Sequence, residues 1–180
     1  MVGGSRMPPG KRQDYMVVET GWGWVGVGFS AAGLISSSLP RESREQVLEE
    51  LRVHGELVEQ VDYPGLRRDL EEYFAGRKVD FRGYTIAWKG YTPFQQRVLA
   101  AAAAIPYGEV RSYRWLAIEA TGRPGASRAV GGAMAANPLP LIIPCHRVIR
   151  SDGDLGGFAG GLELKARLLA LEGVELPRKS

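Results

Sequence analysis

At residues 89–93, KGYTP, the chain changes character, and this switch constrains the architecture more than any other feature. Upstream, residues 15–39 (YMVVETGWGWVGVGFSAAGLISSSL) hold β-branched and aromatic residues in partial alternation broken by glycine, the pattern of two or three antiparallel strands. RESREQVLEEL at 41–51 reads as an amphipathic helix, and Pro64 opens another that runs through Leu66, Leu70, Tyr73 and Phe74 to a stop at Gly76. Residues 79–88 read as a final strand. Downstream, Thr92, Pro93, Phe94 and Gln95 form a capping box with proline at the first helical position, and an alanine-rich helix follows to Ala104. Ser112 caps a helix over 113–120 that Gly122 and Pro124 end, and a second short helix spans 126–136 and stops at Asn137-Pro138. The expected architecture is a flexible tail over 1–14, an α/β N-terminal domain over 15–88 with a small, mostly antiparallel sheet, and a mainly α C-terminal domain over 89–180. The short helix pair in the second domain has the form of a helix-turn-helix, winged-helix-like, although an ordinary helical hairpin has the same pattern.

Composition narrows the class. With 44% apolar and 24% charged residues in 180, the chain can bury a core. It holds no apolar run of about 18 residues, so no membrane-spanning helix is expected. The opening MVGGSRMPPGKRQ lacks the apolar stretch of a secretory signal. The net charge of +3 permits nucleic acid as a partner and equally fits a mildly basic enzyme. Of 23 cationic residues 18 are arginine, which pairs well with phosphate but also accumulates in GC-rich or thermophilic sources. A single cysteine forbids an intramolecular disulfide and points to a cytoplasmic chain. One cysteine with His54 and His146 cannot build the usual zinc site, so no metal is expected.

Four segments carry chemistry. In the helix over 126–136, Gly131, Gly132, Ala133, Ala135 and Ala136 leave one side almost free of bulk, and each glycine costs roughly 1 kcal/mol in a helix interior. Such a face suits close approach, to a neighbouring helix or to a DNA groove. After a Leu-rich strand, LPLII, comes Pro144-Cys145-His146-Arg147-Val148, where an imidazole adjoins a thiol. A lone cysteine is more often a small core hydrophobe, but an adjacent imidazole can raise its thiolate fraction. Successive strand side chains point to opposite faces, so a bend or a bridging water is required for contact. Glu172, at the end of the last helix, opposes the helix dipole; it is either an exposed terminal carboxylate or an inward group that holds His146. LGGFAGG at 155–161 offers backbone N–H groups to a flat ligand, or is only a flexible connection.

GEVRSY (108–113), SRAVGGAM (127–134), Asn137-Pro138, IPCHRV (143–148) and LLALEG (168–173) occur in the order and spacing of the O6-alkylguanine-DNA alkyltransferases, which the chain resembles across about residues 88–175 and more loosely elsewhere. The resemblance implies direct, single-turnover repair of O6-alkylguanine, and of O4-alkylthymine, in double-stranded DNA by a monomer without a cofactor. It implies Cys145 as the alkyl acceptor, His146 and Glu172 as its activators through a water, and Asn137 as a brace between recognition helix and active site. Tyr113 and Arg128 would assist extrusion of the damaged nucleotide, with Ser127, Ala129 and Gly132 on the minor-groove face. Pro144, Val148, Phe158, Ala159 and Gly160 would line the base pocket. The chain departs from the family at Phe158-Ala159, where Tyr-Ser is frequent, and lacks the zinc ligands that some members carry in the first domain. A helix-turn-helix transcription factor would leave the cysteine cluster unexplained, and a cysteine hydrolase would lack a second suitable histidine.

Overall fold

Alternation over the first third of the chain produces three strands in succession. In a computed structural model that describes residues 12–176, β1 (Arg12–Thr20), β2 (Gly23–Ser30) and β3 (Gly33–Ser37) pair as an antiparallel meander. The strand begins earlier than expected: residues 12–14 belong to β1, and Gln13 is buried. The remainder of the expected tail, 1–11, lies outside the described residues. The helix α1 (Arg44–Arg52) follows, with Ser43 and Gln46 closing a reciprocal capping box. Its Val47, Leu48 and Leu51 pack with Val17. Gly26 makes this approach possible, because a Cβ there would stand 2.3 Å from Val47 Cγ1.

One strand was not anticipated. β4 (Glu56–Gln60) adds to β1 in parallel, giving the order β3-β2-β1-β4. Its ELVEQ sequence is largely exposed and shows no alternation, as befits an edge. The helix α2 (Leu66–Phe74) buries Leu66, Leu70, Tyr73 and Phe74. Residues 79–88 do not form the expected strand. Phe81–Gly83 is a 3-10 turn, and a single bridge joins Ile86 to Leu34.

The chain divides into two compact units, one comprising the residues up to Ala75 with Tyr84–Ala87, the other Gly76–Gly83 with the chain from Trp88 onward. The second unit is built on α3 (Pro93–Ala103), α4 (Tyr113–Thr121) and α5 (Ser127–Ala135). Val98, Leu99, Leu116, Ala117, Val130, Ala133 and Met134 form its core. Gly122 ends α4 in the left-handed conformation, with its N–H on Ile118, so α4 and α5 form a helix-turn-helix. Two-residue strands β5 (Arg111–Ser112) and β6 (Val148–Ile149) pair in parallel, and α6 (Leu162–Leu171) closes the unit. The stretch 139–143 is buried as expected but is not a strand. Pro138, Pro140 and Pro144 punctuate it, and proline cannot donate to a ladder. It forms a turn instead, with Leu141 at φ 75 and the Ile143 N–H on Leu139. Among the described residues no helix is long and apolar enough to cross a membrane.

The first unit depends on one buried amide. Gln13 donates to the carbonyls of Leu51 (2.8 Å) and Gly55 (3.2 Å) and accepts from Ser36 (3.0 Å), joining β1, β3 and the end of α1. A Cβ at Gly28 would stand 2.0 Å from Gln13 Oε1 and 2.7 Å from Ser36 Oγ. Gly28→Ala is therefore expected to destabilise the fold by about 1–3 kcal/mol, the usual cost of overpacking. Thermal unfolding should show a melting temperature several degrees lower, and an unchanged one would contradict this assignment of the Gln13 network.

Candidate active site and nucleic-acid face

Pro144 resolves the difficulty of adjacent residues pointing apart. Its backbone (φ −78, ψ 68) makes an inverse γ-turn closed by the Cys145 N–H on the Ile143 carbonyl at 2.7 Å. Cys145–Arg147 then forms a 3-10 turn rather than the end of a strand. Cys145 is left half-buried, while His146 and Arg147 turn into the core at 1% and 5% exposure.

Behind the turn lies a buried carboxylate. Glu172 is the C-cap residue of α6 and shares a face with Lys165, Leu168 and Leu169, all buried at i, i+3, i+4 and i+7. Its Oε1 is 2.7 Å from His146 Nε2. Arg147 donates to both carboxylate oxygens at 2.8 Å, and the Gly108 N–H adds a bond at 3.3 Å. Arg147 also donates to the Ile105 carbonyl at 2.8 Å and lies 5.7 Å from the centre of the Tyr107 ring. Burial alone would push the Glu172 pKa up, but the hydrogen bonds and charges of His146 and Arg147 outweigh it and pull the carboxyl down to about 2. Glu172 is thus an ionised acceptor, so Nε2 of His146 carries the hydrogen and Nδ1 is the basic nitrogen. Burial pushes the imidazole pKa down despite Glu172, so the ring stays neutral.

The thiol stands between opposing influences. Burial pushes its pKa up, while a hydrogen bond from Asn137, the nearby Lys165 and the backbone N–H groups of Cys145 and His146 favour thiolate. Asn137 uses its whole amide: Nδ2 also donates to the Ile143 carbonyl and Oδ1 accepts from the Leu139 N–H, each at 3.0 Å. It therefore spans the turn between α5 and Cys145.

The pairing of β5 with β6 brings Tyr113 to the same place. Ser112 lies opposite Ile149 and caps α4 at the Trp115 N–H (3.0 Å), which makes Tyr113 the first helical residue. Burial, and then the Cys145 charge, push the Tyr113 hydroxyl upward, so it remains a proton donor. Gly156 (φ +72) presses against this ring: a Cβ there would stand 3.1 Å from Tyr113 Cε2.

The other expected positions separate into two groups. Arg128, Ala129 and Gly132 are exposed on one side of α5, with Ser127 half-buried and bonded to the Pro124 carbonyl. Cβ atoms built on Gly131 and Gly132 meet nothing within 4 Å, so these glycines do not serve a packed helix neighbour. Around the cysteine, Pro144 and Val148 are buried, Phe158 and Gly160 are half-buried and Ala159 is exposed. The backbone of Val148 is already engaged, its N–H on Cys145 and its carbonyl on Lys165. Arg147 and Lys165 are buried beside these residues, and the sequence reading did not single them out. Their signals were present, Arg147 inside the PCHRV string and Lys165 on the helical face of Leu168, Leu169 and Glu172.

The family described as 6-O-methylguanine DNA methyltransferase, DNA binding domain, matches residues 93–174. The chain is 45% identical over 135 residues to a methylated-DNA–protein-cysteine methyltransferase of Salmonella typhimurium, across 74% of this chain and 78% of that one. It is 47% identical over 107 residues to one from Methanothermobacter thermautotrophicus, across 59% of each. Among solved structures it is similar to Mycobacterium tuberculosis OGT in complex with DNA, with TM-score 0.72 and 37% identity over 88% of this chain and 92% of that one. It is also similar to the O6-methylguanine-DNA methyltransferase of Pyrococcus kodakaraensis KOD1, with TM-score 0.70 and 25% identity over 89% and 99%. The fold is that of an alkyltransferase acting on DNA. The chain belongs to the methylated-DNA–protein-cysteine methyltransferase family.

The Glu172 cluster has a measurable pH signature. A carboxyl whose pKa falls from 4.5 to about 2 on folding adds stability that is fully present above pH 4.5 and lost as pH drops toward 2. At 1.36 kcal/mol per unit this amounts to roughly 3 kcal/mol. Urea unfolding at pH 6 and at pH 3 should show wild type losing more stability than Glu172→Gln, which starts lower and falls less. Parallel losses would contradict the ionised, buried carboxylate.

Proposed function

We propose that this protein repairs O6-alkylguanine in double-stranded DNA by transferring the alkyl group irreversibly to Cys145. The observation that carries the reading is the half-buried thiol backed by the buried His146–Glu172–Arg147 cluster, on the same unit as a helix whose exposed side is nearly bare. A base inside the stack is out of reach, so the damaged nucleotide is flipped out at a cost of a few kcal/mol. The small side of α5, at Ala129, Gly132 and Ala135, suits approach to the minor groove, with Ser127 at its start. Arg128 fills the gap in the stack, and Tyr113 helps to turn the nucleotide.

The extruded base enters beside Tyr113 and the 156–160 segment, with Pro144, Val148, Phe158, Ala159 and Gly160 around it. His146 Nδ1 takes the thiol proton through a water, and Glu172 stabilises the imidazolium that forms. The sulfur bonds to the alkyl carbon as the bond from that carbon to O6 breaks, and the electron pair stays on guanine. Donors to O6, from the Tyr113 hydroxyl or the backbone N–H of Ala159, stabilise this charge until guanine is protonated. Asn137 keeps the sulfur and the recognition helix in register. The product thioether has no good leaving group, so one molecule acts once. O4-alkylthymine presents an equivalent alkyl ether and is a substrate by the same chemistry.

Two variants test the reading with a duplex carrying O6-methylguanine and with free O6-benzylguanine. Cys145→Ser should abolish transfer from both while retaining DNA binding. Arg128→Ala should slow transfer from the duplex by about tenfold or more while sparing the free base, because only the duplex has a gap to fill. Equal slowing on both substrates would remove Arg128 from extrusion, and transfer by Cys145→Ser would overturn the reading itself.

A further inference from the structure

The guanidinium groups of this protein are not evenly matched with carboxylates. Most arginines outside α3, α4 and α5 stand 2.6–3.8 Å from an acidic side chain. Among the described residues, Arg97, Arg114, Arg123 and Arg128 stand in no ion pair. Arg97 lies on α3, Arg114 on α4, Arg123 in the turn and Arg128 on α5. The unmatched charge therefore follows the helix-turn-helix and the helix packed beside it. Two of these arginines line one cleft of about 510 Å³, together with Glu119, residues 120–122 and Ala126. Arg97 reaches across from α3 and donates Nε to the Ala120 carbonyl at 3.1 Å. That bond caps the end of α4 and uses one donor of the guanidinium, so its terminal nitrogens stay available. Arg123 is presented by a turn that Thr121 fixes: the Thr121 hydroxyl donates to the Ala117 carbonyl (2.7 Å) and accepts from the Arg123 N–H (3.1 Å). Glu119 lines the same cleft without pairing with either arginine, so the cleft keeps an excess of positive charge.

We propose that the cleft of Arg97 and Arg123 holds a phosphodiester of the DNA backbone, which extends the DNA contact past the helix-turn-helix onto α3. The inference rests on the DNA-repair function proposed above. Guanidinium forks match phosphate oxygens in shape as well as charge. Elsewhere on this protein a phosphate would have to displace a carboxylate to reach most arginines, and here it displaces none. Ala126 borders the cleft and adjoins Ser127 and Arg128 at the start of α5, so a strand that meets this helix end comes within reach of both guanidiniums. Capping of α4 accounts for Nε of Arg97 alone and gives Arg123 no task. A backbone contact fixes a protein on the duplex without reading sequence, which suits a recognition helix as bare as α5.

Fluorescence-anisotropy titrations of an undamaged duplex, from about 50 to about 300 mM KCl, test the cleft without any transfer chemistry. Each phosphate contact contributes about 0.9 to the slope of log K against log salt. The double variant Arg97→Gln with Arg123→Gln should therefore show a slope shallower by about 0.9, and binding about tenfold weaker at about 50 mM salt. Arg123→Gln alone should lose about half as much slope, with an unchanged melting temperature, because its guanidinium holds no internal bond. That variant decides the matter if loss of the Arg97 cap unfolds the protein. Arg52→Gln, which removes an arginine without an ion pair from the end of α1, should bind as wild type. A wild-type slope in Arg123→Gln and in the double variant would overturn the site, and is also the result expected if the cleft takes only free inorganic phosphate. Equal weakening by Arg52→Gln would overturn it too, by showing a general effect of charge. Failure of the repair reading looks different: Cys145 then gains no alkyl group from damaged duplex, whatever the slope.

Discussion

A single buried carboxylate organises the second unit. Isolated in a protein interior, an ionised carboxyl would be prohibitively costly, and it would take up a proton instead. Glu172 remains ionised because Arg147 reaches both oxygens, His146 donates from Nε2 and Gly108 contributes an amide. Those partners come from the cysteine turn and the loop before β5, and Glu172 itself ends α6. Satisfying the charge brings the three together. Removing one partner of such a pair typically costs 3–5 kcal/mol, because a charge is left uncompensated. The arrangement also assigns the histidine tautomer, with the hydrogen on Nε2 facing Glu172 and Nδ1 left as the basic nitrogen.

The remaining supports of the thiol follow the same economy. Pro144 bends the chain so that Cys145 and His146 face different surroundings. Asn137 uses both ends of its amide in holding the turn whose Leu141 adopts φ 75, a conformation costing of order 1–3 kcal/mol for a bulky residue. The strain is tolerated because 139–143 is buried and pinned at both ends. Lys165 does for the glycine-rich segment what Asn137 does for the turn. Both hold backbone that has no ladder or helix of its own.

Much of this was legible in the sequence, and the exceptions have physical reasons. The three-strand meander, α1 to α3 and the helix-turn-helix follow from alternation, capping boxes and glycine stops, which are local signals. β4 was missed because ELVEQ owes its conformation to the edge of β1 and not to its own pattern. Residues 79–88 and 139–143 have strand-like composition, but Gly83 falls in a tight turn and the prolines in 138–144 forbid pairing. At the site, Cys145, His146, Glu172, Tyr113 and Asn137 lie together in the second unit. Arg147 and Lys165 escaped because a basic residue is normally read as solvated. Only three-dimensional contacts reveal that one neutralises Glu172 and the other gathers three carbonyls.

The central claim is that Cys145 is the final resting place of the alkyl group. Intact-protein mass spectrometry after incubation with excess O6-methylguanine duplex tests it most directly, followed by peptide mapping. The account predicts a gain of one methyl per molecule, carried by the peptide containing Cys145, with repair stopping at one lesion per protein. Continued repair beyond that ratio, or a methyl group found elsewhere, would contradict it.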